Sequence, residues 1–163
     1  MKTLVSEHLR DEFGEICLEV IFQDRTTRLS CIRRTSDNEV LSFHIVLFTE
    51  DGIKTLGSVH EKIVKGGLLG EVIQASGVPY TRAVSNKSCV DMETGLASLF
   101  ATGAGRCTTE RIEYQVRGIP YAAIYEFYNP KYTPVAVLPS TLPPDVKTFI
   151  RKYLPAKSSQ KKT

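Results

Sequence analysis

Along this chain apolar residues alternate, then regroup at helical spacing, then alternate again. Residues 3 to 13 read as a short helix. EICLEVIF (Glu15 to Phe22) alternates, which places Ile16, Leu18, Val20 and Phe22 on one strand face. RLSCIRR (Arg28 to Arg34) and EVLSFHIVLF (Glu39 to Phe48) are two further strands, joined by the turn TSDN. EDG at 50 to 52 ends this sheet run. TLGSVHEKIV then carries Leu56, Val59, Ile63 and Val64 at helical spacing. KGG interrupts it, and LLGEVIQA restarts a short helix closed by Gly77 and Pro79. YTRAV is a strand, and METGLASLFAT is a helix ended by Gly103. Residues 111 to 128 form a long hairpin about Arg117-Gly118. LPPDVKTFIRKYL has Pro in its first turn, Asp after it, and Val146, Phe149, Ile150 and Leu154 at helical spacing, so the last element is an amphipathic helix. Strands joined by hairpins pair antiparallel. The expected fold is therefore α+β: a single mainly antiparallel sheet with helices packed on one side and the hairpin central to it.

Length adds a domain count. A chain of 163 residues is one domain, expected over 1–156, followed by a basic tail over 157–163 that reads as disordered. Most of the net charge of +3 sits in that tail, and no basic stretch interleaved with aromatics suggests nucleic acid. No apolar run approaches the roughly 18 residues of a membrane helix. The first 15 residues are charged and lack the apolar centre of a signal peptide, which points to the cytoplasm. Cys17, Cys31, Cys89 and Cys107 show no C-x-x-C spacing, so no metal site is expected. Cys17 and Cys31 read as small apolar residues within strands. Of the three histidines, His8, His44 and His60, none is placed beside a cysteine, which disfavours cysteine catalysis.

Three features carry candidate chemistry. The first is Glu126, inside the apolar run YAAIYEFY. Strand parity puts it on a face with Ala122, Ile124 and Tyr128, while Tyr121, Ala123, Tyr125 and Phe127 take the other. A carboxylate there is costly unless paired, and burial favours its protonated form. It either turns to solvent at a strand end or faces a ligand. The second is GGLLGEVI (66–73), a Gly-rich helix start without the Gly-Lys-Ser/Thr of a P-loop. The third is a set of strand arginines, Arg28, Arg82 and Arg111. Each is by itself an ordinary strand residue, but together they could hold an anion through bidentate contacts.

In this order, RLSCIRR, LLGEVIQAS, ERIEYQV and RGIPYAAIYEF resemble the chorismate pyruvate-lyase family, and more closely its short divergent branch, over about residues 15 to 130. The resemblance implies a chorismate lyase-like fold with the ligand enclosed under helical flaps. It implies a lyase that converts chorismate to 4-hydroxybenzoate and pyruvate without a cofactor. Glu126 matches the family's essential Glu, although it stands one residue off the usual count from G-x-P, as a bulge would place it. Leu69 and Gly70 match the pair whose backbone meets the ligand carboxylate. Either Arg28 or Ser30 takes the family's Arg position. Arg28 is preferred, because a two-residue shift keeps the strand face. Arg82 and Arg111 are the further substrate-binding candidates. The same fold serves the effector-binding (UTRA) domains of bacterial repressors, so the alternative is a free-standing module that binds a small cyclic carboxylate. The stretch of about 14 residues before the first strand is too short for a winged helix. A homo-oligomer stays open.

Overall fold

A computed structural model of the chain describes residues 5–155. Seven strands and six helices follow one another in this order: α1 Val5–Phe13, β1 Ile16–Gln23, β2 Thr27–Arg34, β3 Val40–Phe48, α2 Glu50–Leu56, α3 Ser58–Val64, α4 Leu69–Ser76, β4 Tyr80–Val84, β5 Ser88–Asp91, α5 Thr94–Leu99, β6 Arg106–Val116, β7 Ile119–Tyr128 and α6 Pro144–Tyr153. The sheet order is β1-β2-β3-β7-β6-β4, and β5 pairs with the outer part of β6. Every strand pair is antiparallel. The β6–β7 hairpin lies inside the sheet, as the sequence suggests. It turns on Arg117 and Gly118, both at positive φ (50° and 76°). That matches a tight turn whose twist suits its strands.

Helices α1 to α4 pack on one side of this α+β sheet. Beneath α2–α4 lie Val46, Phe48, Ile112, Val116 and Ile124, which meet Leu56, Ile63 and Ile73. Beneath α1, Leu9 meets Ile32 and Leu41. The two later helices, α5 and α6, close the opposite face, where Leu29, Phe43, Ile45 and Phe127 meet Phe100, Val146 and Ile150. Each such side chain contributes about 1.5–3 kcal/mol by its burial. At Gly95 a side chain has no room, because a Cβ would fall on the Leu154 carbonyl, so α5 meets the end of α6 backbone to backbone.

The elements depart from expectation in five places. EDG does not merely end a strand. It opens α2, with the Thr49 hydroxyl accepting from the Gly52 N–H at 3.0 Å and two acidic residues in the first turn. β5 is an additional strand, too short to show a period. β6 begins at Arg106, well before Arg111. A bulge between Val20 and Phe22 reverses the parity of β1, so Phe22 leaves the face of Ile16 and Leu18 and stacks on Tyr153 of α6 at 4.2 Å. A second bulge, opposite Tyr114 and Gln115, turns Tyr121 to the side of Ala122, where its hydroxyl meets His60 Nδ1 at 2.6 Å. Cys17 is exposed, since β1 is an edge strand, whereas Cys31, Cys89 and Cys107 are buried. Burial pushes the Cys31 and Cys107 thiols up to about 12, which keeps them unreactive. Among the described residues no helix is long and apolar enough to cross a membrane. The expected tail lies outside the described residues, as do residues 3 and 4 of the expected first helix.

Candidate functional site

Strand register gathers polar groups under α1 and α4. Glu126 of β7 stands between His44 of β3 and Glu110 of β6. Arg28 and Ser30 come from β2, with Val46 opposite Arg28 and His44 opposite Ser30. Arg82 of β4 sits opposite Tyr114 of β6. All of these except Glu110 line an inner cavity of about 70 Å³, roofed by Leu68, Leu69 and Gly70 at the start of α4 and by Val5 and Ser6 of α1. Arg28, Leu69, Gly70, Arg82 and Glu126 are thus brought together. Arg111 is not. Its partner Tyr125 lies on the other parity of β7, so Arg111 is exposed on the opposite face, paired with Glu113 and with Nε donating to the Tyr125 hydroxyl at 3.3 Å.

Arg28 is only 2% exposed. Its Nη1 donates to the carbonyls of Ile63 and Gly67, both at 2.8 Å, which ties the α3–α4 connection to the sheet. Its Nε is buried without a partner among the described residues, and so is Nε of Arg82. Burial lowers Arg28 to about 10, still a cation at neutral pH. Arg28 and Ser30 share the face, as a two-residue step requires, so both reach the cavity. His44 accepts or donates at both ring nitrogens, to Ser42 Oγ at 2.9 Å and Ser30 Oγ at 3.5 Å. Burial first, then the nearby Arg28 charge, drives it down to about 3, so the ring is neutral. α4 starts at Leu69 with Leu68 as its N-cap and no side-chain cap, so its first-turn N–H groups, Leu69 and Gly70 among them, are not capped by that side chain.

Glu126 is pushed up to about 7. Burial is the chief cause. Glu110 adds to it, while the Tyr128 hydrogen bond, Arg82 and Lys87 oppose it. The Tyr128 hydroxyl lies 2.7 Å from Glu126 Oε2 and 2.6 Å from Glu110 Oε1. Tyr128 and Glu110 also border an outer pocket of about 340 Å³, with Lys87 and His8. Val5 and Arg82 line both compartments. His44, Glu110 and Tyr128 were not among the residues singled out by sequence. Their signal was register: once β7 is paired, His44 and Glu110 are the cross-strand neighbours of Glu126.

No family profile matches the sequence, and no curated protein matches it. Solved structures match its fold. PhnF from Mycobacterium smegmatis aligns with TM-score 0.64 at 9% identity, covering 87% of this chain and 70% of that one. A possible transcriptional regulator, YydK from Bacillus subtilis, aligns with TM-score 0.60 at 13% identity, covering 85% and 67%. The ligand-binding domain of a putative GntR-family transcriptional regulator from Bordetella bronchiseptica aligns with TM-score 0.51 at 12% identity, covering 80% and 90%. At such identities the likeness is one of fold. Two of these three neighbours are described as transcriptional regulators or a domain of one, and none of the three as a lyase.

Proposed function

We propose that this chain is a ligand-binding module for a small molecule, with a cyclic carboxylate as the class that suits the cavity. One observation carries the reading: two guanidinium groups, Arg28 and Arg82, line the same mostly apolar cavity, and each keeps a buried Nε–H without a partner among the described residues. Such a donor costs about 1–3 kcal/mol while unsatisfied. An anion that accepts from both recovers that cost and adds charge-assisted bonds. Apolar walls from Val46, Ile112 and Ile124 suit a ring. Protonation of Glu126 would remove a charge that repels the same anion. The inner cavity of about 70 Å³ is small for a ring, but the adjoining pocket of about 340 Å³ brings the site into the usual range of roughly 300–1,000 Å³. The regulator-like fold neighbours support a binding role. The test is thermal protection by 4-hydroxybenzoate and related cyclic carboxylates, which bind only the folded state. No protection by any of them would overturn the reading.

A second reading is a lyase acting on chorismate without a cofactor. It is favoured by Glu126, whose proton is exchangeable near neutral pH, the property a general acid or base needs. Incubation with chorismate decides it. Release of pyruvate and 4-hydroxybenzoate that falls by about 10²–10⁴ in Glu126→Gln supports the lyase. Protection without any release leaves the binding module.

A further inference from the structure

The Tyr128 hydroxyl has one hydrogen and two carboxylate neighbours at hydrogen-bond distance, Glu126 at 2.7 Å and Glu110 at 2.6 Å. It can donate to only one of them. The other contact is a hydrogen bond only if that carboxyl donates to the phenol oxygen. Three oxygens in a row therefore require one proton beyond the phenol's own. Glu126 and Glu110 also face each other directly across β6 and β7, where two like charges would repel. One shared proton removes both conflicts. The chain runs from the inner cavity, which Glu126 lines, to the outer pocket, which Glu110 and Tyr128 line.

We infer that an anion entering the inner cavity is bound together with one proton, held in the Glu126–Tyr128–Glu110 chain and supplied from solvent through the outer pocket. This rests on the ligand-binding reading proposed above. A carboxylate ligand beside an ionised Glu126 would meet a second anion in a buried space. Beside a protonated Glu126 that repulsion is absent. The remaining charged and titratable groups around the chain fit this. Arg28 on β2 stays cationic, and it and Arg82 on β4 take the anion, while His44 on β3 is held neutral by burial and by Arg28 and does not compete for the proton. Tyr114 on β6 stays a phenol. Lys87, exposed, stands 5.5 Å over the Tyr128 ring, and His8 of α1 pairs with Glu12 at the outer rim. Loss of the shared proton leaves two carboxylates facing Arg82 and Lys87, so the cations compete less for an incoming anion.

Titration calorimetry with 4-hydroxybenzoate at pH 6 and pH 8, in buffers of different ionisation heat, tests this. Uptake of about one proton per ligand at pH 8, far less at pH 6, and affinity about tenfold weaker at pH 8 are expected from the linkage. Glu126→Gln should abolish both effects. Glu110→Gln should move the midpoint to lower pH, because the Tyr128 hydrogen is then free for Glu126. Affinity that ignores pH, or a midpoint that Glu110→Gln leaves in place, overturns the inference. Absence of binding at both pH values would defeat the ligand reading instead. The chain is then decided in the ligand-free protein by carbon-13 NMR of the Glu126 carboxyl. Titration near neutral pH that Glu110→Gln lowers sustains it, and an ordinary acidic titration rejects it.

Discussion

β2, β3 and β7 present two faces built from alternate residues of the same strands. On one, Leu29, Cys31, Phe43, Ile45 and Phe127 meet α5 and α6 with no polar side chain among them. On the other, one residue along each strand, stand Arg28, Ser30, His44 and Glu126, all nearly as deeply buried. Both faces are covered, so exposure does not distinguish them. What differs is whether burial satisfies the groups it encloses. The apolar face is satisfied by packing alone. The polar face leaves guanidinium N–H groups without acceptors and a carboxyl far from its ordinary protonation range. A sheet stabilised from one side can carry an unfavourable arrangement on the other.

Substitutions should separate the two faces, and the largest effect belongs to the apolar one. Phe127→Ala should cost about 3–5 kcal/mol in urea unfolding, as large-to-small core changes do. It should leave ligand affinity in the remaining folded protein unchanged; a matching loss of affinity would merge the two faces into one unit. Arg28→Ala should weaken 4-hydroxybenzoate binding by about 2–5 kcal/mol, because the ligand charge is left buried and unpaired. Arg33→Ala is the control, since Arg33 lies on the other parity and pairs with Glu19 at 2.6 Å. Equal losses in the two variants would mean that Arg28 does not contact the ligand.

The third expectation concerns pH. Glu126 is raised to about 7 in the folded state against 4.5 ordinarily. Between these values the folded protein holds more protons than the unfolded one, so stability falls as pH rises through this window. The contribution is on the order of 3 kcal/mol, fully lost above pH 7. His44 acts in the opposite sense. Held near 3 against 6.5, it withdraws stability as pH falls below its unfolded value. The wild-type melting temperature minus that of Glu126→Gln isolates the first effect, and should drop from pH 5 to pH 8. A flat difference would mean that Glu126 is ordinary. Smallest of all, Arg111→Ala should change stability by no more than about 0.5 kcal/mol, as an exposed pair allows, and leave binding alone. A binding defect there would draw the opposite face into the site.

Much of this was legible in the chain because alternation survives in most strands. It read β2, β3 and β7 well enough to place Arg28 and Glu126 on buried faces, and the hairpin turn identified itself by Arg117-Gly118. Parity was lost where a bulge adds a residue: nothing in EVIF marks one, and in β7 the one-residue offset between G-x-P and Glu126 suggested a bulge without placing it at Tyr121. Phe22 and Tyr121 therefore changed sides. Arg111 failed for a related reason: its side of β6 follows from its pairing with Tyr125, which only the hairpin register gives. The same register supplies His44 and Glu110 as neighbours of Glu126, and a one-residue slip would replace both. Thr49 as a cap for α2 was hidden because EDG also serves as a turn.

Arg28 has a consequence beyond charge. The turn it grips carries Gly66 at φ 106° beside Gly67, a pair with wide conformational freedom when unconstrained. Two hydrogen bonds from one side chain, to Ile63 and Gly67, hold both ends of that turn against the sheet. The entropy of ordering it is therefore spent at folding rather than at ligand capture. α4, which follows the turn directly, therefore starts from a point tied to the strand beneath the cavity.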